Sequence, residues 1–87
     1  MVYESGSLDV TSSSQTIDLK SLKRFVIVEN SESPAIFIKL SETRSEATIN
    51  DRKVAGFGKL RAKGKIRYIS VICNANETST MDYTTVD

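Results

Sequence analysis

Histidine and tryptophan are absent from the 87 residues, while cysteine and proline occur once each and glycine four times. Without histidine the chain lacks the commonest general base and metal ligand. A single thiol, Cys73, excludes an intrachain disulfide and a multi-thiolate zinc site. Its place behind the apolar run Tyr68-Ile69-Ser70-Val71-Ile72 marks it as a packed, inert side chain. No apolar run approaches the roughly 18 residues of a membrane span, and the start Met1-Val2-Tyr3-Glu4 lacks the progression of a secretory signal. A cytoplasmic setting is expected, and Asn76-Glu77-Thr78 is then an accidental glycosylation pattern.

Catalytic constellations are missing as well. Glu42 with Glu46, or Asp51 beside Arg52, are ordinary surface charges, and Gly56-Phe57-Gly58-Lys59 is too short for a phosphate loop and leads into more strand. The expectation is a protein that is not an enzyme, with no cofactor and no metal ligand set.

What is present is strand chemistry. Apolar residues come in runs of four to eight rich in Val, Ile, Thr, Phe and Tyr, with no sustained helical period. Leu8 and Val10 alternate with polar neighbours, as do Ile17 and Leu19, whereas Phe25-Val26-Ile27-Val28 is apolar on both faces. Asn30 to Pro34 collects turn formers and suggests a hairpin between that run and Ile36 to Leu40. Further strands are expected at 47–50, 54–59, 66–73 and 79–86, and 41–46 reads as a connection. Eight or nine short strands predict an all-β chain: one small antiparallel β-sandwich, jelly-roll-like, in a single domain over 1–87. So small a core without cross-links favours additional burial against a partner.

Charge is distributed unevenly. Arg52, Lys53, Lys59, Arg61, Lys63, Lys65 and Arg67 stand within sixteen positions without an acid, a local +7. The remaining five basic residues face all eleven acids, a net of −6, and the first 19 residues hold Glu4, Asp9 and Asp18 with no base. The basic residues from 59 to 67 have odd numbers and would line one face of an unbroken strand. A five-residue turn at Arg61 to Lys65, using Gly64, is expected to break the strand, pairing Leu60 with Ile66 and Lys59 with Arg67. Three readings are open for this segment: a solvated loop, a contact with an acidic protein surface, or nucleic acid. The last is disfavoured because the nearby aromatics, Phe57 and Tyr68, read as core. A carbohydrate platform is disfavoured by the lack of tryptophan.

The run from Phe25 through Glu29-Asn30-Ser31 and Pro34 to Leu40 resembles small β-sandwich accessory proteins of tailed-bacteriophage virions. Leu60-Arg61-Ala62-Lys63-Gly64 and the hydrophobic strand after it add to the likeness. The cations around Gly64 depart from that pattern, in which small polar residues suffice. The resemblance implies a structural role as capsid decoration, head fibre base, or neck or tail subunit, located in the virion and assembled in a bacterial cytoplasm. Its partners would be copies of itself and a capsid, portal or tail protein, without membrane contact. The alternative is a small nucleic-acid-binding β domain that uses the segment 52–67.

Overall fold

Alternation of inward aliphatic and outward polar side chains builds six strands: β1 (Tyr3–Val10), β2 (Gln15–Asn30), β3 (Ile36–Ser41), β4 (Arg52–Val54), β5 (Lys59–Cys73) and β6 (Ser79–Val86). The computed structural model describes residues 3–87. All pairs are antiparallel, in the order β1-β6-β2-β5-β3-β4. The all-β, jelly-roll-like expectation holds, with fewer and longer strands.

Two long strands account for the difference. The expected strands at 16–19 and 25–28 are parts of β2, and 59–73 is one strand rather than two arms of a turn. Between Asp18↔Tyr68 and Lys23↔Ile66, β2 carries three residues more than β5; between Lys23↔Ile66 and Phe25↔Lys63, β5 carries one more than β2. Lys20 has φ 72°, its N–H donating to Asp18 Oδ1 at 2.8 Å, and Gly64 has φ 144° with open space around it. Extra residues bend strands and raise their twist. Gly64 therefore serves a bulge where a turn was expected.

At these irregularities the sheet folds over into two layers. The first contains β1, β6, the C-terminal part of β2 and the N-terminal part of β5. The second contains the remainder of β2 and β5 with β3 and β4. Val26, Val28 and Met81 from the first layer meet Ile36, Ile69 and Val71 from the second in one cluster, all fully or almost fully buried. Burial of one such side chain contributes roughly 1.5–3 kcal/mol. The Cys73 N–H donates to Thr11 O at 2.9 Å and closes β5 onto the end of β1. Cys73 itself is buried and burial raises its pKa, as the inert reading expects.

The segment 31–35 is not a hairpin turn. β2 pairs with β5 and β6, and β3 with β4 and β5, so the chain crosses between layers there. Buried Asn30 organises the crossing: its Nδ2 donates to Pro34 O at 2.7 Å and to Val54 O and Ala55 O at 3.3 Å, while Oδ1 accepts from Ser79 Oγ at 2.6 Å. The 47–50 stretch forms no strand; 42–51 instead lies on the outer face of the second layer. There Ser70 Oγ donates to Ser45 O, and the Ala47 N–H donates to Ser14 Oγ at 3.0 Å.

Candidate functional site: a basic, half-paired strand

The first half of β5 pairs with β2 on one side, from Lys59↔Glu29 to Ile66↔Lys23. On the other side β3 reaches only Tyr68 to Cys73, so residues 59–66 are an edge, with no strand beside them among the described residues. Leu60 and Ile66 are buried, while Lys59, Arg61, Lys63 and Lys65 are exposed. Because the strand is unbroken, Lys59 faces Glu29, Arg61 faces Ile27 and Lys63 faces Phe25, and the expected juxtaposition of Lys59 with Arg67 does not occur. Lys59 Nζ lies 3.8 Å from Glu29 Oε1, both half exposed. Such a pair contributes at most about 1 kcal/mol.

The seven basic residues do not converge on one point. Arg52 and Lys53 are exposed on β4, at the outer edge of the second layer. Arg67 sits at the bend, where its Nε donates to Asp18 Oδ1 at 3.1 Å and its guanidinium lies 5.3 Å from the Tyr68 ring. That hydrogen bond, followed by the one from the Lys20 N–H, lowers the Asp18 carboxyl from its ordinary 3.8 to about 2. Arg61, Lys63 and Lys65 have no ion-pair partner among the described residues, and they form the free cationic part of the edge.

The acidic N-terminal stretch is partly committed within the chain. Lys23, only 3% exposed, lies 2.6 Å from Asp87 Oδ1 and 3.5 Å from Glu4 Oε1. The hydrogen bond to Asp87 raises its pKa against the opposing effect of burial. Asp18 is held by Arg67. Asp9 is left on β1.

Two aromatic features escaped the sequence reading. Tyr3, Phe25 and Val86, together with Arg24, Lys63 and Asp87, line a shallow groove of about 380 Å³. Phe25 belongs to a run apolar on both faces, and that double apolarity was the available signal. Phe57, expected in the core, is 72% exposed, whereas Tyr68 is half buried beneath Arg44 and Arg67. Phe57 falls in the turn joining β4 to β5, where alternation no longer reports burial.

Among the described residues no three His, Cys, Asp or Glu side chains gather to hold a metal ion, and no helix is long and apolar enough to cross a membrane. The side chains that meet inside the fold are chiefly aliphatic. The free edge presents fixed positive charge beside backbone left unpaired among the described residues.

The six curled antiparallel strands with their shared interior form a jelly-roll-like β fold. Among solved structures, the fold is similar to a cupin superfamily protein from Desulfitobacterium hafniense, with a TM-score of 0.56 and 8% identity over 98% of this chain and 68% of that one. It is also similar to the EutQ protein of Clostridium difficile, with a TM-score of 0.55 and 10% identity over 97% of this chain and 56% of that one. At such identities the likeness concerns the fold alone. No family model matches the sequence, and no curated protein matches it. The resemblance to virion accessory proteins is corrected accordingly, and with it the virion role and location: the structural likeness lies with cupins, and alternating strands and turn residues suffice to produce the phage-like runs.

Proposed function

We propose that this chain is a non-catalytic docking module that takes an extended acidic polypeptide segment as an added strand along the free side of residues 59–66. The observation that carries this reading is the half-paired strand itself, which presents unpaired backbone beside Arg61, Lys63 and Lys65. Strand addition draws affinity from main-chain hydrogen bonds and specificity from alternate side chains. Same-face positions on a strand repeat at about 6.8 Å, so acidic residues at every second position of a partner lie opposite cations. The chain's own N-terminal stretch is a poorer occupant, because Glu4 and Asp18 already have partners within the chain.

Fluorescence anisotropy with a labelled seven-residue peptide alternating Glu and Val provides the test. Saturable binding that weakens with salt, is lost in an Arg61→Ser, Lys63→Ser, Lys65→Ser triple variant, and is lost when alternate peptide amides are N-methylated supports the reading. Equal affinity for the N-methylated peptide, or for a single-stranded oligonucleotide of the same charge, overturns it.

A further inference from the structure

The turn Ala55-Gly56-Phe57-Gly58, closed by the Gly58 N–H donating to Ala55 O at 2.9 Å, delivers the chain into the free half of β5. Its conformational choices are unusual. Phe57 has φ 60°, in the left-handed region, although glycines stand on both sides of it. A bulky residue is disfavoured there by roughly 1–2 kcal/mol. The ring gains little from the fold in return, since Phe57 is 72% exposed, more than any other large hydrophobic side chain among the described residues.

The backbone beneath it is held from several directions. The Phe57 N–H donates to Glu32 O at 3.1 Å and the Asn30 N–H to Gly58 O at 2.9 Å. A Cβ on Gly56 would fall 2.0 Å from Ser33 O, so the 31–35 crossing is packed directly against the turn. The buried Asn30 amide grips the carbonyls of Val54 and Ala55 just before it. A rigid mount displaying a solvent-facing ring in a disfavoured conformation is an arrangement found at binding and switch sites. Aromatic side chains are also enriched among residues that dominate interfaces.

We infer that Phe57 is the specificity anchor of the docking edge and reads an apolar residue that follows the acidic run of the partner segment. This inference rests on the strand-addition reading above. Every strand pair in the sheet is antiparallel, and a strand added in that same sense runs opposite to β5 and brings its C-terminal end to Lys59 and hence to Phe57.

The experiment compares three peptides on wild-type protein and on Phe57→Ser: the alternating Glu-Val core, the core with Leu-Leu at its C-terminal end, and the core with Leu-Leu at its N-terminal end. Circular dichroism melts accompany it to establish that the variant folds. The expected result is that C-terminal Leu-Leu tightens binding to the wild type about tenfold relative to the bare core, that N-terminal Leu-Leu does so less than twofold, and that in Phe57→Ser the C-terminal gain over the bare core is lost. Equal gains in both proteins, no gain in either, or an N-terminal gain overturn the anchor while strand addition stands. If instead Phe57→Ser removes only binding to anionic phospholipid vesicles, the ring is a membrane contact and the inference fails. Absence of binding by all three peptides overturns the strand-addition reading and the anchor together.

Discussion

The two layers share one interior but treat their outer faces oppositely. On the second layer the segment 42–51 covers the sheet: Phe37, Ala47 and Ser70 are buried, Thr16 and Ser70 hydroxyls lie 2.9 Å apart, and the Thr48 N–H donates to Asp51 Oδ2 at 2.7 Å. Among the described residues the first layer has no such cover. Phe25, Ile27 and Val86 are half buried beside exposed Arg61 and Lys63, and its β5 edge is unpaired. Cationic side chains on an edge strand discourage pairing with like edges. The comparison separates a face specialised for stability from one free to meet a partner.

The strongest way to break that comparison is to strike what the layers have in common. Ile69→Ala in the second layer and Val28→Ala in the first remove fully buried side chains. Losses of about 2–5 kcal/mol and about 1–3 kcal/mol respectively are expected in urea unfolding. Asn30→Ala strips donors from three carbonyls and a partner from the Ser79 hydroxyl. It is expected to cost about 3 kcal/mol and to accelerate hydrogen exchange at Phe57 and Gly58 before other turns. Ser70→Ala tests the covered face by removing the hydrogen bonds to Ser45 O and Thr16, with a loss of about 1–2 kcal/mol in the same assay.

Two smaller effects sharpen the contrast. The folded-state carboxyl of Asp18 titrates at about 2 rather than 3.8, so its stabilising contribution is present above the ordinary value and is lost as pH falls toward 2. Urea midpoints measured from pH 5 to pH 2 should therefore fall less steeply in Asp18→Asn than in the wild type. Smallest of all, Arg61→Ser, Lys63→Ser and Lys65→Ser should each change stability by less than about 0.5 kcal/mol. Large losses from these three would mean the open face is structural after all.

How much was legible in the sequence follows from the range of the forces concerned. Alternation at Leu8 and Val10 and at Ile17 and Leu19 is local, and it located the inward faces. Partner choice is not local. Nothing between Asn30 and Ile36 states that the chain crosses between layers instead of folding back, because that outcome depends on Asn30 reaching Val54 and Ala55. Gly64 signalled a backbone irregularity, but whether it becomes a turn or a bulge depends on Val26 and Val28 pairing with Ala62 and Leu60. The cationic segment was visible by composition alone. Its division into Arg67 held by Asp18, Lys59 beside Glu29 and the free Arg61, Lys63 and Lys65 needed the register.

β2 and β5 each run through both layers, so neither layer is an independent unit. Separating the first from the second would pull the same two chains out of the pairing between Gln15–Asp18 and Tyr68–Val71. Opening at one end is therefore transmitted along the backbone to the other, and the amides of Val26 and Ile69, in opposite layers, should exchange with solvent through a common global event. The bend that gives the molecule two dissimilar faces also ties them into one cooperative unit.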